Sequence, residues 1–456
     1  MTNPSKIFLF NSALPESLEM SDFLKGMGPS QDNVRGQNIG NGYIAYGFLK
    51  ALFGCPVKVD HISNALESKL SDQLAEEINQ KYSHLVWTMK DDIREDFAGL
   101  PIERITHFLE KITIPIVPMS LCANSFNGYD PSLAERLSPN QKRNFSLLSE
   151  KSKLIGVRGN YSAEILNSLG IKNVRVIGCP SYFENGPTRA LQKKPWDADK
   201  VITTATFFNS GLPRTSHLLQ DELYFINLLY LEKALPSTRN ITAQPFNLDE
   251  IPTSFQLLAK AMAGRLEFFS DYSRWATFFK SNDHCLTIGT RLHSGILSIN
   301  SGVPAIVTNP DSRARETCEY LRIPYDPTIH SRSNIREVFE NLDLSEMNNA
   351  YPVLYKEFLY FLDTVGLVPC TVSHDRPCFE FPDLNKSTSP SVAAELHEAY
   401  TELVENLDRE VVVRREHGGE RSRRLVNKFQ LLRQRYPGLT RKEYLDYLSR
   451  FTGEPK

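Results

Sequence analysis

Two arginines and a histidine follow apolar runs in the segment TIGTRLHSGILSINSGVPAIVTNPDSRARE, residues 287–316. Arg291 and His293 come just after the run HCLTIG, and Arg313 comes shortly after PAIVTN. A guanidinium binds carboxylate or phosphate through paired hydrogen bonds, and an imidazole exchanges protons near neutral pH. The spacing therefore predicts a site for a small ligand with several negative charges, with His293 available for proton transfer.

An Arg-x-His sequence taken alone also fits a structural role. Arg291 could form an ion pair with Glu316, and His293 could be a buried histidine with satisfied hydrogen bonds. The position at strand ends favours function, because ligands of parallel α/β sheets lie beyond the carboxyl ends of the strands. Helices that begin there offer free N–H groups and the positive end of their dipole. The helix after Arg291 is predicted to begin near Ser294, which places Ser294 in the binding site.

Other polar residues occupy similar positions along the chain. Arg158 ends an apolar run in IGVRGNYSAEILNSLGI, and Arg214 follows another in FFNSGLPRTSH. Asn38 and Asn41, in VRGQNIGNGYIAYG, stand where a helix is predicted to start. That segment has no G-x-G-x-x-G followed by an acid, and the chain has no P-loop lysine, which argues against both dinucleotide motifs. Arg158 could instead be tied to a neighbouring carboxylate, so both interpretations stay open.

The elements that would position these residues alternate between strand and helix. The predicted strands, such as KIFLFN, HLVWTM, PIVPMSL and VITTATFF, are continuous apolar runs, as in a parallel sheet covered on both faces. PSLAERLSPNQKRNFSLLSEKS and HLLQDELYFINLLYLEKAL are predicted to be helical, NITAQPF a strand and SFQLLAKAMAG a helix. The sequence thus predicts an α/β protein with two Rossmann-like, doubly wound domains facing a cleft.

The polar, proline-containing segment ENGPTRALQKKPWDADK divides the two predicted domains. We place the N-terminal lobe at residues 1–190 and the C-terminal lobe at residues 200–380. Residues 385–456 carry abundant charge of both signs at helical spacing and predict a helical extension. Its arginine-rich run at 421–424 favours a solvated face over a contact with anionic lipid or glycan.

Composition restricts the class of protein. The chain has 456 residues, 41% hydrophobic and 23% charged, which is typical of a globular protein. Its 52 basic and 54 acidic residues give no global attraction to nucleic acid. Seven scattered cysteines without a CxxC pair indicate reduced thiols rather than disulfides or a zinc site, and His284 beside Cys285 is predicted to be packed. No apolar run approaches membrane-spanning length, so a cytoplasmic enzyme without a metal is expected.

Three segments resemble a known family, the polysaccharide pyruvyl transferases: VRGNYSAEILNSLGIKNVRVIGCPS, TIGTRLHSGILSINSGVPAIV and PDSRARETCEYLRIP. The resemblance covers most of residues 35–330 and is most specific at Arg-Leu-His and the following Gly-Val-Pro. It implies a two-lobed fold similar to that of one large glycosyltransferase class (GT-B-like). It also implies transfer of pyruvate from phosphoenolpyruvate to two hydroxyls of a sugar, as a cyclic ketal, with release of phosphate and without a metal or cofactor.

The resemblance also implies roles for residues. Arg291 would hold the carboxylate or phosphate of phosphoenolpyruvate, and His293 would act as general acid or base. Arg313, Arg158 and Arg214 are further candidates for phosphate contacts. The family motif Asn-x-Gly-Asp reads NIGN here, from Asn38 to Asn41, and would lie in the substrate site.

Two other functions compete with this interpretation. A GT-B-type glycosyltransferase would place the diphosphate of a nucleotide sugar at the same strand ends, and a non-catalytic module would only hold a saccharide or an anion. The acceptor, expected to be a sugar of a surface polysaccharide such as a capsule or exopolysaccharide, is either free or lipid-linked. A lipid-linked acceptor would bring the enzyme to the inner face of the membrane. The C-terminal extension could serve a dimer contact, a membrane-surface contact or packing across the lobes.

Overall fold

The computed structural model of the chain describes residues 6–10, 39–53, 59–62, 70–95, 102–125, 128–204, 215–218, 220, 266–267, 272–329 and 333–367. Two parallel sheets with flanking helices make up these ranges, so the predicted α/β fold with two doubly wound lobes facing a cleft is confirmed. The predicted C-terminal extension lies outside the described residues. None of the helices in the described ranges combines the length and apolar character needed to cross a lipid bilayer.

The first sheet belongs to the N-terminal lobe, and its strands run parallel in the order β2-β1-β3-β5. The strand β7 continues this sheet, because Leu121, two residues after β5, pairs with Val157 of β7, and β8 pairs with β7 in turn. The short strands β4 and β6 form a separate pair beyond the carboxyl ends of β3 and β5. The strands of this lobe are β1 (Ile7–Phe10), β2 (Asp60–Ile62), β3 (His84–Thr88), β4 (Ile93–Arg94), β5 (Ile116–Met119), β6 (Ala123–Asn124), β7 (Ile155–Val157) and β8 (Val174–Val176).

The helices of the N-terminal lobe largely follow the predicted pattern, with one correction. The segment predicted as helical around PSLAERLSPNQKRN forms two helices, because Ser138 and Gln141 build a capping box and Pro139 occupies the first turn. This start signal ends the preceding helix at Arg136. The helices are α1 (Ile39–Phe53), α2 (Asp72–Lys81), α3 (Ile102–Glu110), α4 (Leu133–Arg136), α5 (Pro139–Lys151) and α6 (Asn160–Ser168).

The second sheet forms the C-terminal lobe, with parallel strands in the order β11-β10-β9-β12-β13-β14. The helix predicted to begin at His217 is wrong at its start, because His217 and Leu218 belong to the strand β10. The rest of that predicted helix, the strand NITAQPF and the helix SFQLLAKAMAG lie outside the described residues. The strands are β9 (Val201–Thr204), β10 (Ser216–Leu218), β11 (Leu266–Glu267), β12 (Leu286–Gly289), β13 (Ala305–Thr308) and β14 (Tyr325–Asp326).

The last described helix leaves the C-terminal lobe and packs on the N-terminal one. The Phe358 ring stacks on Phe183 with their centroids 4.9 Å apart, and Phe361 lies so close to Gly156 of β7 that a Cβ there would be 3.0 Å from its ring. An apolar core shared by the two lobes results. The helices that follow the first strand of the second sheet along the chain are α7 (Tyr272–Ser281), α8 (Leu292–Asn300), α9 (Ser312–Leu321), α10 (Ile335–Asn341) and α11 (Ser345–Thr364).

Candidate active site

The turn between β12 and α8 places Arg291 and His293 as the sequence predicts, at the carboxyl edge of the second sheet. Gly289 ends β12 with a φ of 149°, and a Cβ there would lie 2.2 Å from the carbonyl oxygen of Thr204. Only glycine fits this close approach of two strand ends. The half-buried Arg291 is the N-cap of α8, and the helix begins at Leu292, two residues before the predicted start.

His293 lies in the first turn of α8 with only 5% of its surface exposed. Its Nε2 atom is 3.7 Å from the Sγ atom of Cys179, which is itself buried in the N-terminal lobe. Burial lowers the pKa of His293 well below its usual value, and the positive charges of Arg158, Arg313 and Lys90 lower it further. The imidazole is therefore neutral at neutral pH and can accept a proton.

The next strand end, after β13, contributes Asp311 and Arg313. Asp311 caps α9 by accepting a hydrogen bond from the amide of Ala314 at 2.9 Å. It also accepts from Nε of Arg313 at 2.7 Å, while Nη1 of Arg313 donates to Asp91 of the other lobe at 2.9 Å. The arginine thus bridges the two lobes at the edge of the cleft.

Asp91 comes from the loop after β3, a segment that sequence reasoning did not assign to the site. Burial works to raise the pKa of Asp91, but the neighbouring Arg313 and Arg94 outweigh it and hold the pKa below its usual value. Asp91 is therefore an anion that partly offsets the cations of the cleft. A signal was available in the sequence, since Lys90, Asp91 and Asp92 directly follow a buried strand.

Arg158 enters the cleft from the N-terminal lobe, directly after β7, and is 3% exposed. Its Nε donates to the carbonyl oxygen of Ser120 at 3.0 Å and to Oγ of the same residue at 2.9 Å. Both bonds start from Nε and fix the guanidinium, and neither involves its two terminal amino groups. Arg158 is thus held by Ser120 and not by a neighbouring carboxylate, which was the alternative that the sequence allowed.

The helix α9 holds the lobes together beside the cleft. Glu316 of α9 accepts hydrogen bonds from the backbone N–H of Ser162 at 2.9 Å and from its hydroxyl at 2.5 Å, at the start of α6. This corrects the alternative pairing of Glu316 with Arg291. Gly159 allows the contact, because a Cβ there would lie 2.6 Å from the Cβ of Glu316.

One cleft collects most of the predicted site residues. Arg291, His293, Arg313, Arg158 and Asn41 all line it. Asp311, which the sequence places beside Arg313 at the second strand end, lines it too. The lining among the described residues is completed by residues that the sequence did not single out: Lys90, Asp91, Gln220, Thr290, Leu292 and Ala314.

Of the three other predicted site residues, one does not line the cleft and two lie outside the described residues. Ser294 is fully buried behind it, and its amide and hydroxyl donate to the side-chain oxygen of Gln220 at 3.1 and 2.7 Å. Ser294 therefore positions a residue of the cleft instead of lining it. Asn38 and Arg214 lie outside the described residues, so their roles stay predictions.

The neighbouring histidine and the described cysteines behave as ordinary interior residues. His284 packs against the ring of Phe278 with centroids 4.7 Å apart, and burial lowers the pKa of His284 to about 4. This agrees with the prediction of a packed residue. The four cysteines within the described ranges are buried free thiols: Cys122, Cys179, Cys285 and Cys318.

The two parallel sheets and the cleft with its arginine and lysine lining define an α/β protein of two lobes. The family can be stated from the sequence match: the model of the family "Polysaccharide pyruvyl transferase" matches residues 38–312, more than half of the chain. The chain belongs to the polysaccharide pyruvyl transferase family, as its resemblance implied. No curated protein sequence matches the chain significantly.

Several solved structures are similar to the chain at low identity. A UDP complex of MnaA from S. aureus is 15% identical, with 81% of this chain and 100% of that chain covered and a TM-score of 0.38. A UDP-GlcNAc 2-epimerase from Neisseria meningitidis, bound to UDP-GlcNAc, is 11% identical, with 78% and 98% covered and a TM-score of 0.38. Structural similarity at this level supports no conclusion about the ligand or the reaction of this chain.

Proposed function

We propose that this protein transfers the pyruvyl group of phosphoenolpyruvate to two hydroxyls of one sugar, forming a cyclic ketal and releasing phosphate. The observation that carries the proposal is the convergence of four cationic side chains on one cleft beside a buried, neutral histidine. The four are Lys90, Arg158, Arg291 and Arg313. Membership of the polysaccharide pyruvyl transferase family supports the same reaction.

The charges of the cleft suit a ligand with two anionic groups. Asp91 and Asp311 neutralise part of the positive charge, mainly at Arg313. Arg158 and Arg291 enter from opposite lobes, which suits a donor held at one end by its carboxylate and at the other by its phosphate. Guanidinium groups bind both kinds of anion through paired hydrogen bonds. No residue set for a resident cofactor is needed, because phosphoenolpyruvate itself is the activated substrate.

His293 is best suited to act as general base in this reaction. Its imidazole is neutral because burial and three cations oppose its protonation, and the anionic groups of a bound donor would offset those cations. A neutral imidazole can take the proton of a sugar hydroxyl as the oxygen attacks the central carbon of the donor. The bound anions then stabilise the positive charge that develops at that carbon.

The acceptor is proposed to be a sugar of a surface polysaccharide or its precursor. Its hydroxyls would approach from the N-terminal lobe, where Asn41 lines the cleft. An amide side chain can donate to and accept from sugar hydroxyls. The protein is proposed to work in the cytoplasm, and on a lipid-linked acceptor at the inner face of the membrane.

The donor can be tested by thermal unfolding of wild type and Arg291→Ala with phosphoenolpyruvate and, separately, with a panel of sugar nucleotides. A ligand at 100 times its dissociation constant stabilises the folded protein by ~2.7 kcal/mol. We expect phosphoenolpyruvate to raise the midpoint of wild type and not of Arg291→Ala. Stabilisation by a sugar nucleotide alone would favour the glycosyltransferase, and binding of phosphoenolpyruvate without phosphate release on any acceptor would favour a binding module.

The role of His293 can be tested with His293→Asn. Loss of a general base lowers turnover by roughly 10²–10⁴-fold, while the arginines should keep the donor bound. Phosphate release and the donor-induced rise of the unfolding midpoint would be measured together. His107→Asn, a change at an exposed histidine of α3, serves as the control. Near-normal turnover by His293→Asn would remove the proposed role.

A further inference from the structure

Formation of the ketal requires an acid as well as a base, and the cleft offers few candidates. The methylene carbon of phosphoenolpyruvate must gain a proton before its neighbour can accept the sugar oxygen. Arginine does not release its proton near neutral pH, so Arg158, Arg291 and Arg313 are poor donors. His293 is neutral, because burial and the nearby cations lower its pKa. The acid must therefore be sought elsewhere in the lining.

The two carboxyl groups that line the cleft have other partners. Asp91 accepts from Arg313 and from Arg94, and the pKa of Asp91 lies below its usual value because these arginines outweigh the effect of burial. Asp311 caps α9 and accepts from Arg313 as well. Groups held as hydrogen-bond acceptors by arginine are unsuited to give a proton to carbon.

Lys90 lines the same cleft and comes from the loop after β3. Its backbone is held at both ends: the amide donates to the carboxylate of Asp92 at 2.9 Å, and the carbonyl oxygen accepts from the amide of Cys122 at 2.8 Å. Within the described part of the chain, its ammonium group makes no ion pair or hydrogen bond. The loop thus fixes the position of Lys90 and leaves its three N–H groups for a ligand.

We propose that Lys90 is the catalytic acid that protonates the methylene carbon of phosphoenolpyruvate. This role rests on the proposed function and deepens it. Lys90 is the dissociable cation among the described residues of the cleft, and it stands beside the arginines that would hold the anionic ends of the donor. The geometry places acid and base in one cleft, with Lys90 from the N-terminal lobe and His293 from the C-terminal lobe.

The charged groups around Lys90 are consistent with this role. Burial lowers the pKa of Lys90, which makes its ammonium a stronger acid than that of a free lysine. Asp92 and Asp91 oppose this effect and favour the charged form, while Arg158 adds to the lowering. From the other lobe, His293 faces the same space as a neutral group. A lysine whose pKa is lowered in this way gives up its proton more readily than a free lysine.

The proposed steps balance in atoms and charge. The π electrons of the donor form a C–H bond with a proton of the Lys90 ammonium, and the first sugar oxygen bonds to the central carbon while its proton passes to His293. The bond from that carbon to the phosphate oxygen then breaks, and the leaving phosphate takes the proton from His293. The second sugar oxygen closes the ring and returns its proton to the amine of Lys90. The products are the ketal and hydrogen phosphate, with both residues restored.

The test compares Lys90→Arg with the control Lys153→Arg, an exposed lysine of the same lobe. Arginine keeps the positive charge but cannot act as an acid near neutral pH. We expect Lys90→Arg to keep the rise in unfolding midpoint with phosphoenolpyruvate and to release phosphate roughly 10²–10⁴-fold more slowly. Its residual rate should also lack the fall at basic pH that loss of the Lys90 proton causes in wild type. Lys153→Arg should match wild type in every respect.

Two results would overturn the proposal. Turnover of Lys90→Arg within about tenfold of wild type would show that charge alone suffices at this position. Loss of stabilisation by phosphoenolpyruvate in Lys90→Arg would show that Lys90 is a ligand of the donor rather than its acid. Failure of the proposed function is seen separately, in wild type, as absence of phosphate release from phosphoenolpyruvate with every acceptor.

Discussion

The contact between Glu316 and Ser162 predicts an unusual dependence of stability on pH. Glu316 is 2% exposed, and burial raises its pKa to about 7 although both hydrogen bonds from Ser162 act to lower it. The pKa of this carboxyl rises from 4.5 in the unfolded chain to about 7 in the folded one. At pH values above both, this shift destabilises the native state by about 3 kcal/mol, since one pKa unit corresponds to about 1.4 kcal/mol. Below pH 4.5 the group is protonated in both states and the cost disappears.

The substitution Glu316→Gln removes this titration and nearly preserves the shape of the side chain. The substitution also removes one hydrogen-bond acceptor for Ser162, and the resulting loss of stability is the same at every pH. We therefore expect the stability of the variant relative to wild type to rise by about 3 kcal/mol between pH 4.5 and pH 8.5. One kcal/mol moves the midpoint by about 2–4 °C in a domain of this size, so the relative midpoint should rise by about 6–12 °C.

The measurement is thermal unfolding of both proteins across this pH range. Glu319→Gln, one turn further along α9, is a matched control with the opposite sign. Hydrogen bonds from Tyr129, Arg315 and Tyr325 outweigh burial and hold the pKa of Glu319 below its usual value. That variant should lose stability relative to wild type as the pH rises. A difference between Glu316→Gln and wild type that stays constant with pH would refute the reasoning.

Two further predictions concern the contact of the lobes. Gly159→Ala should destabilise the protein by roughly 1–3 kcal/mol because its Cβ would overlap Glu316. Gly295→Ala in α8 is the control and should be neutral or stabilising, since its Cβ would meet Ala305 at an ordinary 3.5 Å. Equal unfolding midpoints of the two variants would contradict this prediction. Asp91→Asn weakens a charged hydrogen bond, which should lower the free energy of unfolding by about 1.5–3 kcal/mol and the unfolding midpoint with it. An unchanged midpoint would show that the bridge to Arg313 contributes no stability.

The fold and the centre of the site could be predicted because both depend on local sequence. Continuous apolar runs identify the buried parallel strands, and a residue that follows such a run must lie at the carboxyl edge of the sheet. This rule placed Arg291, His293, Arg313 and Arg158, although these residues are up to 155 positions apart in the chain. The same rule applied to β3 would have added Lys90.

The remaining features depend on the packing of distant segments, for which the sequence has no local signal. The bond of Glu316 to Ser162 spans 154 residues and requires that α9 dock against the start of α6. Ser294 has the right position for a ligand contact, but Gln220, from a segment 74 residues earlier, takes its hydrogen bonds. The strand β10 was missed because three residues are too few to show an alternating pattern beside a long run with helical spacing.

The return of α11 to the N-terminal lobe has a consequence for how the chain matures during translation. The strand β7 ends at residue 157, but the Phe361 ring that packs on it belongs to a helix that ends at Thr364. A ribosome adds about 5–20 residues per second, so the first lobe waits roughly 10–40 s for this cover. During that interval Phe183 lacks the Phe358 ring that stacks on it, and the first lobe expressed as a separate fragment would keep this surface uncovered.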